Sequence, residues 1–478
     1  MIGTPEPVRR GAKSTPLAPV DIAWLRMDEP ANLMHVHGVL VLDGHVEREK
    51  VAAVLGARFA EIPRFHQRVA LDGGRLVWTE DEAFDIDRHV PEESLSEPGG
   101  DAELAAAIGA HLDRPFDRAH PLWEFRLLHG YRGSDTVVFG RLHHAIGDGV
   151  ALMVVLLAMT DLSPEGPAAV GSGELAAAAR SGNPFFDLFT AGPGAALEAA
   201  HAAAERWMPE TLRLMLGPLE ALRKAHPLVR GLGSTAALGR MLARPSDPRS
   251  PFKGDLGTEK RVAWTRAAPL DEVKSLAKSL GGTINDVLNS AMAGGLRRYL
   301  LRHGTPPDDL SFRAAMPVNL RPLEEMAALG NRFGLIFLSL PVGMADPVRR
   351  LEEMKARARA LRHSAEPLVV LGLLGFAGRS PLAIQEVLMK IFGSKATAVF
   401  TNVPGPRKTV WFAGRPIRDI FFWVPQAGRL GLGVSIFSYA GQVRMGVGTD
   451  AGLVPDPGRI VDGFDAELEA LADAAARS

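Results

Sequence analysis

The chain of 478 residues contains no cysteine. That excludes a disulfide framework, a thiolate zinc site and covalent catalysis through an acyl-cysteine. An excess of one charge sign is missing too, with 54 Lys and Arg against 55 Asp and Glu and a formal net charge of −1. Nothing therefore points to a nucleic-acid partner or to a strongly basic membrane-binding surface. No GxSxG elbow is present to hold a nucleophilic serine. Long hydrophobic runs are also absent. The longest, PLVVLGLLGFAG (Pro367 to Gly378), is interrupted by glycines and is far short of the roughly 20 residues a membrane-spanning helix needs. Basic residues near the N-terminus are not followed by an apolar run, so no secretory signal is recognised, and a cytoplasmic protein with peripheral membrane contact is expected.

What is present is enough apolar material, 46% of the chain, for two cores, and a chain of this length exceeds what one core usually supports. Residues 1–15 are expected to be a flexible N-terminus. Residues 16–162 alternate strand and helix patterns: MHVHGVLVL and WEFRLL suggest strands, REKVAAVLGARFAEI a helix. Residues 163–259 are rich in Ala, Gly and Pro and suggest an interdomain connection. Within it, ETLRLMLGPLEALRK places Leu212, Met215, Leu216, Leu219 and Leu222 on one helical face, suited to packing on the protein's own core or to lying in a lipid interface. Residues 260–478 suggest a second α/β domain, with strands at RVAWTRA, SFRAAMPV, IFLSLPV, AVFTNV and LGVSIFSYAGQVRMGVG.

The most informative segment is HHAIGDG, residues 143–149. A buried-strand pattern, TVVFGRL, precedes it and an apolar helix pattern, VALMVVLLAMTDL, follows, which places both histidines on the connecting turn. A histidine is the side chain best suited to accept a proton near neutral pH, and a nearby helix N-terminus favours its neutral form. A structural reading also fits: Asp148 as helix N-cap, Gly147 and Gly149 as turn glycines, and the histidines as core residues.

The heptad resembles the HHxxxDG motif of coenzyme-A-dependent acyltransferases. Together with PLAPVDIAWLRMDEPANLMHVHG, IPRFHQRV, the PLW of Pro121, Leu122 and Trp123, GGTINDVLNSAMAGGLRRYL, RAAMPVNLRP, LGNRFG and TNVPGPR, it is similar, in order and across about residues 16 to 470, to bacterial wax ester synthase/acyl-CoA:diacylglycerol acyltransferases. Asp28 stands where Glu is common in that family, and Leu33 and His37 depart from its pattern. The resemblance implies an α/β (α+β) fold of two chloramphenicol-acetyltransferase-like domains with an active-site tunnel between them. It implies long-chain acyl-CoA as co-substrate, no cofactor, and diacylglycerol or a fatty alcohol as acceptor, at the inner membrane or a lipid-droplet surface. His144 would be the general base, His143 its support, Asp148 a loop-holding residue in an ion pair with an arginine, and Gly149 a point of close backbone approach.

Other motif residues have two readings each. Asn285, beside Asp286, and Asn402 could donate to the oxyanion of the attacked carbonyl. Equally, Asn285 could cap the helix starting near Asp286, and Asn402 could organise a Pro-Gly turn. Trp123 could line the acyl channel or share an ordinary strand face with Phe125 and Leu127. No metal site is expected, since His144 and Asp148 lack a third ligand of suitable spacing. A carrier-bound donor, as in condensation enzymes, and a catalytically silent lipid-binding protein are the alternatives to acyl transfer from CoA.

Overall fold

The computed structural model describes residues 5–9, 11–163, 238–321, 329–361, 364–426 and 430–477; the amphipathic stretch 210–224 lies outside them. The alternating pattern of the first part folds into a six-stranded mixed sheet. Its centre is β2 (His35–Leu42) against β7 (Asp135–His143), with β6 (Trp123–Tyr131) and the short β5 (Glu92–Ser94) beyond β7. Helix α1 (Pro19–Met27) precedes β2; α2 (Arg48–Phe59) follows it, and α5 (Gly149–Met159) follows β7. Val51, Val54 and Leu55 of α2 and Val154 and Leu157 of α5 are fully buried in one core with β2 and β7.

The second part forms the other large sheet, ordered β11 (Phe333–Leu340), β10 (Phe312–Asn319), β12 (Ala398–Pro404), β15 (Leu432–Tyr439), β16 (Gln442–Asp450) and β8 (Lys260–Trp264). Helix α7 (Ile284–Arg302) lies over it, packed against the C-terminal α11 (Gly458–Ala476). Their approach needs Gly295, where a Cβ would sit 2.9 Å from Phe464 N. The mixed α/β architecture in two domains is as expected.

Three sequence boundaries are corrected. First, PIRDIFFW is a strand, β14 (Arg415–Trp423), and it pairs antiparallel with β2, carrying β13 (Trp411–Phe412) with it. The second part of the chain thus supplies the edge of the first sheet. Strand β14 is buried on both faces, Ile417 and Ile420 in the core beneath α2 and α5 and Phe421 and Trp423 in the cluster with Val39 and Phe139 on the other side, a position no local pattern could assign to another domain's sheet. Second, the described part of the N-terminus is tied to the first domain: Val8 N–H donates to Leu71 O, Leu71 N–H to Glu6 O, and β1 (Ser14–Pro16) pairs with β4 (Arg75–Glu80). Third, the close of the connection belongs to the second domain, because Phe252 is fully buried in its core and Asp247 accepts Arg313 Nε at 2.6 Å. Among the described residues no helix is long and apolar enough to cross a membrane; PLVVLGLLGFAG lies within α9 (Glu366–Arg379).

Candidate active site

The heptad straddles the end of β7 and the start of α5. His143 is the last residue of the strand, paired across from His35 of β2, so only His144 stands on the turn. His143 is buried. Its Nδ1 accepts the Ala145 N–H at 3.0 Å, which leaves its proton on Nε2, 3.0 Å from Asp28 Oδ2. Asp28 also accepts the Met34 N–H at 2.7 Å and lies 3.3 Å from Arg118 Nη2. His143 therefore braces the loop from below by tying β7 to the segment after α1.

Asp148 caps α5: its Oδ1 accepts the Ala151 N–H at 3.0 Å. Its Oδ2 accepts Arg321 Nη2 at 3.0 Å and the Arg332 N–H at 2.9 Å. Arg321, just beyond β10, is the arginine partner, and both members of the pair are buried. The capping and loop-holding roles coexist. The close backbone approach belongs to Gly147, not Gly149: Gly147 bridges to Gly330, and a Cβ on it would lie 3.0 Å from Ala151 Cβ. At Gly149 a Cβ would make only an ordinary 3.6 Å contact with Val403.

The residues from Gly330 to Arg332, just before β11, reach across to the heptad. Gly330, at φ +98°, donates to Ile146 O at 2.8 Å. Asn331 then makes the decisive contacts. Its Nδ2 donates to Asp21 Oδ1 at 2.8 Å and to His144 O at 2.7 Å, and its Oδ1 stands 2.8 Å from His144 Nδ1. Since Asp21 and the carbonyl can only accept, the amide oxygen must face the imidazole, and Nδ1 must carry the proton. His144 is thereby held in the tautomer whose Nε2 lone pair is free. Trp24 of α1 stacks on the ring at 4.0 Å with a 9° interplanar angle.

Burial pushes the His144 imidazole down to about 4, against the opposing effects of Asp148 and Asn331. Desolvation is thus enough to keep the ring neutral at pH 7. Burial also pushes the Asp21 carboxyl up to about 6, with the bonds from Asn331 acting the other way.

His144 faces an apolar cavity of about 110 Å³ between the two parts of the chain. Trp24 and Met27 of α1 wall one side; Phe333, Phe337, Val370 and Phe392 wall the other. A second apolar cavity of the same size reaches Leu142 and Gly149 beneath α5, bounded by Phe125, Val403 and Phe422.

The other expected site residues are placed as follows. Thr283, not Asn285, caps α7, in a reciprocal capping box with Asp286: Asp286 N–H donates to Thr283 Oγ1, and Thr283 N–H to Asp286 Oδ2. Asn402 lies within β12 rather than on a turn, and its Nδ2 donates to Asn285 Oδ1 at 2.5 Å. The two asparagines thus engage each other. Pro121, Leu122 and Trp123 are buried and line neither cavity. Leu122 O accepts the His143 N–H at 2.9 Å, and Trp123 packs against Phe59 and His89 with its Nε1 donating to Phe65 O. PLW therefore supports the site from the core of the first domain.

His144 and Asp148 do not share a ligand position, but a different trio converges: ligand atoms of Asp28, His35 and His143 lie within 4.8 Å of one another. Two of the three have their polar atoms engaged, whereas both ring nitrogens of the buried His35 lack a hydrogen-bond partner among the described residues. His143 spends its lone pair on the Ala145 N–H and its proton on Asp28, and the Arg118 guanidinium occupies the same carboxylate oxygen.

Asp21, Trp24, Arg321 and Asn331 were not singled out from sequence. Asp21 and Trp24, three residues apart, share one helical face in PLAPVDIAWLRM, and Asn331 sits in LGNRFG. A polar residue among apolar neighbours was an available signal for Asp21, whereas Asn331, between Gly330 and Arg332, offered none.

Comparison with known proteins decides the family. Residues 17–288 match the wax ester synthase/diacylglycerol acyltransferase catalytic domain, and residues 329–472 the WS/DGAT C-terminal domain. A Mycobacterium tuberculosis protein named as a diacylglycerol O-acyltransferase is 30% identical over 98% of this chain and 93% of its own length. The chain belongs to the wax ester synthase/diacylglycerol acyltransferase family. It is an O-acyltransferase. The wax ester synthase/diacylglycerol acyltransferase from Marinobacter aquaeolei VT8 has the same fold, with a TM-score of 0.66 at 22% identity, covering 97% of this chain and all of that one. The first condensation domain of the calcium-dependent antibiotic synthetase shares the fold at TM-score 0.59 and 16% identity, over 97% of this chain and 96% of its own.

Proposed function

We propose that this acyltransferase moves a long-chain fatty acyl group from CoA to diacylglycerol, to a long-chain alcohol, or to both, with His144 as general base. The observation that carries the reading is the Asp21–Asn331–His144 chain, which fixes the proton on Nδ1 and leaves Nε2 unprotonated in a ring that lines an apolar interdomain cavity. Nε2 takes the acceptor's hydroxyl proton as that oxygen attacks the thioester carbonyl. The C–S bond breaks as the new ester C–O bond forms, and the imidazolium returns the proton to the departing CoA thiolate. No acyl-enzyme is needed, in keeping with a chain that has neither a cysteine nor a serine elbow. The apolar lining of the cavity beside His144 suits the start of an alkyl chain, which needs no polar partners.

The test is thiol release from palmitoyl-CoA with hexadecanol or dipalmitoylglycerol as acceptor, followed with a colorimetric thiol reagent. The protein itself contributes no thiol. Acceptor-dependent release in the wild type, lowered by about 10²- to 10⁴-fold in His144→Ala, is expected. The rate should fall in two steps as pH drops from 8, about tenfold as Asp21 is protonated near 6 and then fully as the medium approaches the His144 value of about 4. Release that survives the substitution removes His144 as the base; no release with either acceptor removes the CoA-dependent reading.

A further inference from the structure

The proton that His144 takes up turns its ring into a cation, and a cation in an apolar site needs an electron-rich neighbour. Among the described residues no carboxylate pairs with that ring. The side chain bonded to Nδ1 is the neutral amide of Asn331. Asp148 is already engaged by Arg321 Nη2 and by the Ala151 and Arg332 N–H groups, and Asp28 by His143 and Arg118. Asp21 reaches the ring only through the Asn331 amide.

What does touch the ring is the face of Trp24, nearly parallel to it with centroids 4.0 Å apart; Phe333 stands farther off, at 5.6 Å and a 43° tilt. Indole is the best of the aromatic side chains at attracting a cation held over its face, and 4.0 Å is well inside the roughly 6 Å over which that attraction acts. The position is held from both parts of the chain. Trp24 follows Asp21 by one turn of α1, so a single helix face delivers both residues. The second part pins α1 at three points: Gln385 Nε2 of α10 (Leu382–Ser394) donates to Ala23 O at 2.8 Å, Arg26 Nη1 donates to Ser380 O at 2.9 Å, and the α9 backbone closes on Pro19 O at Gly378. The indole therefore has little freedom to slide off the imidazole.

We propose that Trp24 is a positioning residue that accelerates the reaction by holding the His144 imidazolium against its indole face, in a cation–π contact that forms only as the ring takes the acceptor's proton. The proposal rests on the acyl-transfer reading for the reaction in which that proton moves. While the imidazole is neutral, the stack supplies dispersion alone. Once Nε2 carries the hydroxyl proton, the ring quadrupole also attracts the delocalised charge, and an apolar surround leaves that attraction largely unscreened. The contact weakens again when the proton passes to the CoA thiolate. An interaction that appears only after the proton has moved favours the transition state over the bound substrates. Packing alone would also bury an indole here, since Trp24 is 5% exposed, but packing does not distinguish the neutral ring from the charged one.

The experiment replaces Trp24 alone, in the full chain and by nonsense suppression, with tryptophans carrying an increasing number of ring fluorines. Fluorine nearly keeps the size of the indole while draining charge from its face. The kcat for thiol release from palmitoyl-CoA with hexadecanol should fall steadily, by about tenfold across the series, with KM and Tm unchanged. In the same proteins the His144 titration, followed by NMR of ring-labelled histidine and assigned with His144→Gln, should move to lower pH by about one pH unit, because it is the cation that loses support. A kcat and a titration that stay level across the series, or that move the other way, overturn the proposal and leave Trp24 a packing residue. A fall in kcat with no movement of the titration overturns it too, since the fluorines then act on the substrate and not on His144. Trp24→Leu could not separate these outcomes, because it also enlarges the cavity. Absence of thiol release from the wild type would sink the acyl-transfer reading, while the titration, which needs no turnover, would still decide whether the stack favours the charged ring.

Discussion

Asp21 offers the sharpest test of the hydrogen-bond chain behind His144. Its side chain is 1% exposed, and burial raises its carboxyl from 3.8 to about 6. A rise of about two units corresponds to about 3 kcal/mol. The folded state holds this proton more tightly than the unfolded chain does, so the associated stability is fully present below pH 3.8 and is lost as pH rises through about 6. At neutral pH Asp21 is thus mostly ionised and costs stability. In Asp21→Asn the side-chain oxygen can still accept from Asn331 N and Nδ2, which are 3.1 and 2.8 Å away, but the titration disappears. Urea unfolding followed by tryptophan fluorescence at pH 8 and at pH 4.5 should show the variant gaining on the wild type by about 2 to 3 kcal/mol at the higher pH relative to the lower. The offset common to both pH values depends on how the new amide's own donors are satisfied; the change between them does not. In the same variant, loss of the negative charge one amide away from Nδ1 should lower kcat about tenfold with KM unchanged, because the imidazolium formed during proton transfer loses support. A stability difference that is the same at both pH values, or that favours the wild type more at pH 8, would refute the buried, raised carboxyl.

Asn331→Leu removes the acceptor that fixes the His144 tautomer and the side-chain donor to Asp21, leaving Asp21 the backbone N–H of residue 331. The expected outcome is a loss of kcat of about ten- to a hundredfold with a KM near that of the wild type, together with about 1–3 kcal/mol of destabilisation, both read from thiol release and urea unfolding. Gly378→Ala should reverse the usual sign of such a change: a glycine-to-alanine step inside a helix ordinarily stabilises by about 1 kcal/mol, but here the Cβ would fall 1.6 Å from Pro19 O. Moving α1 away to relieve that clash should cost about 1–3 kcal/mol and lower activity, because α1 carries Asp21 and Trp24; an unchanged or higher melting temperature would contradict this packing.

Much of the fold was legible because its elements are locally consistent. The β-branched run before the heptad is β7, the apolar run after it is α5, and the strand patterns of the second part, from RVAWTRA to the β15–β16 hairpin, each became a strand of one sheet. The β14 strand escaped because its partner β2 is about 380 residues away in sequence, and periodicity carries no information on which sheet a strand joins. The helix at Leu382–Ser394 escaped for a different reason: its apolar residues lie on nearly all sides, so no single stripe marks which of them, such as Met389 and Phe392, pack on the core. At the site, HHAIGDG and Asp148 were recognisable from spacing. Their partners were not, because Arg321, Asn331 and Asp21 are single polar residues whose importance arises only when three distant segments meet.

That meeting point says why two domains are needed for one base. His144 comes from the first sheet, and the oxygen that selects its tautomer comes from Asn331 in the second part of the chain. Asn331 in turn is oriented by Asp21, back in the first part. The loop bearing His144 is held to Arg321 and Gly330 of the second part through Asp148 and Gly147, while β14 of the second part completes the first sheet beside β2. A first domain on its own would retain the histidine, its stack on Trp24 and the Asp28–His143 brace, but Nδ1 would lose its acceptor and the cavity its wall of Phe333, Val370 and Phe392. The base is therefore a property of the interface, and a shift between the domains would change the tautomer and the cavity together.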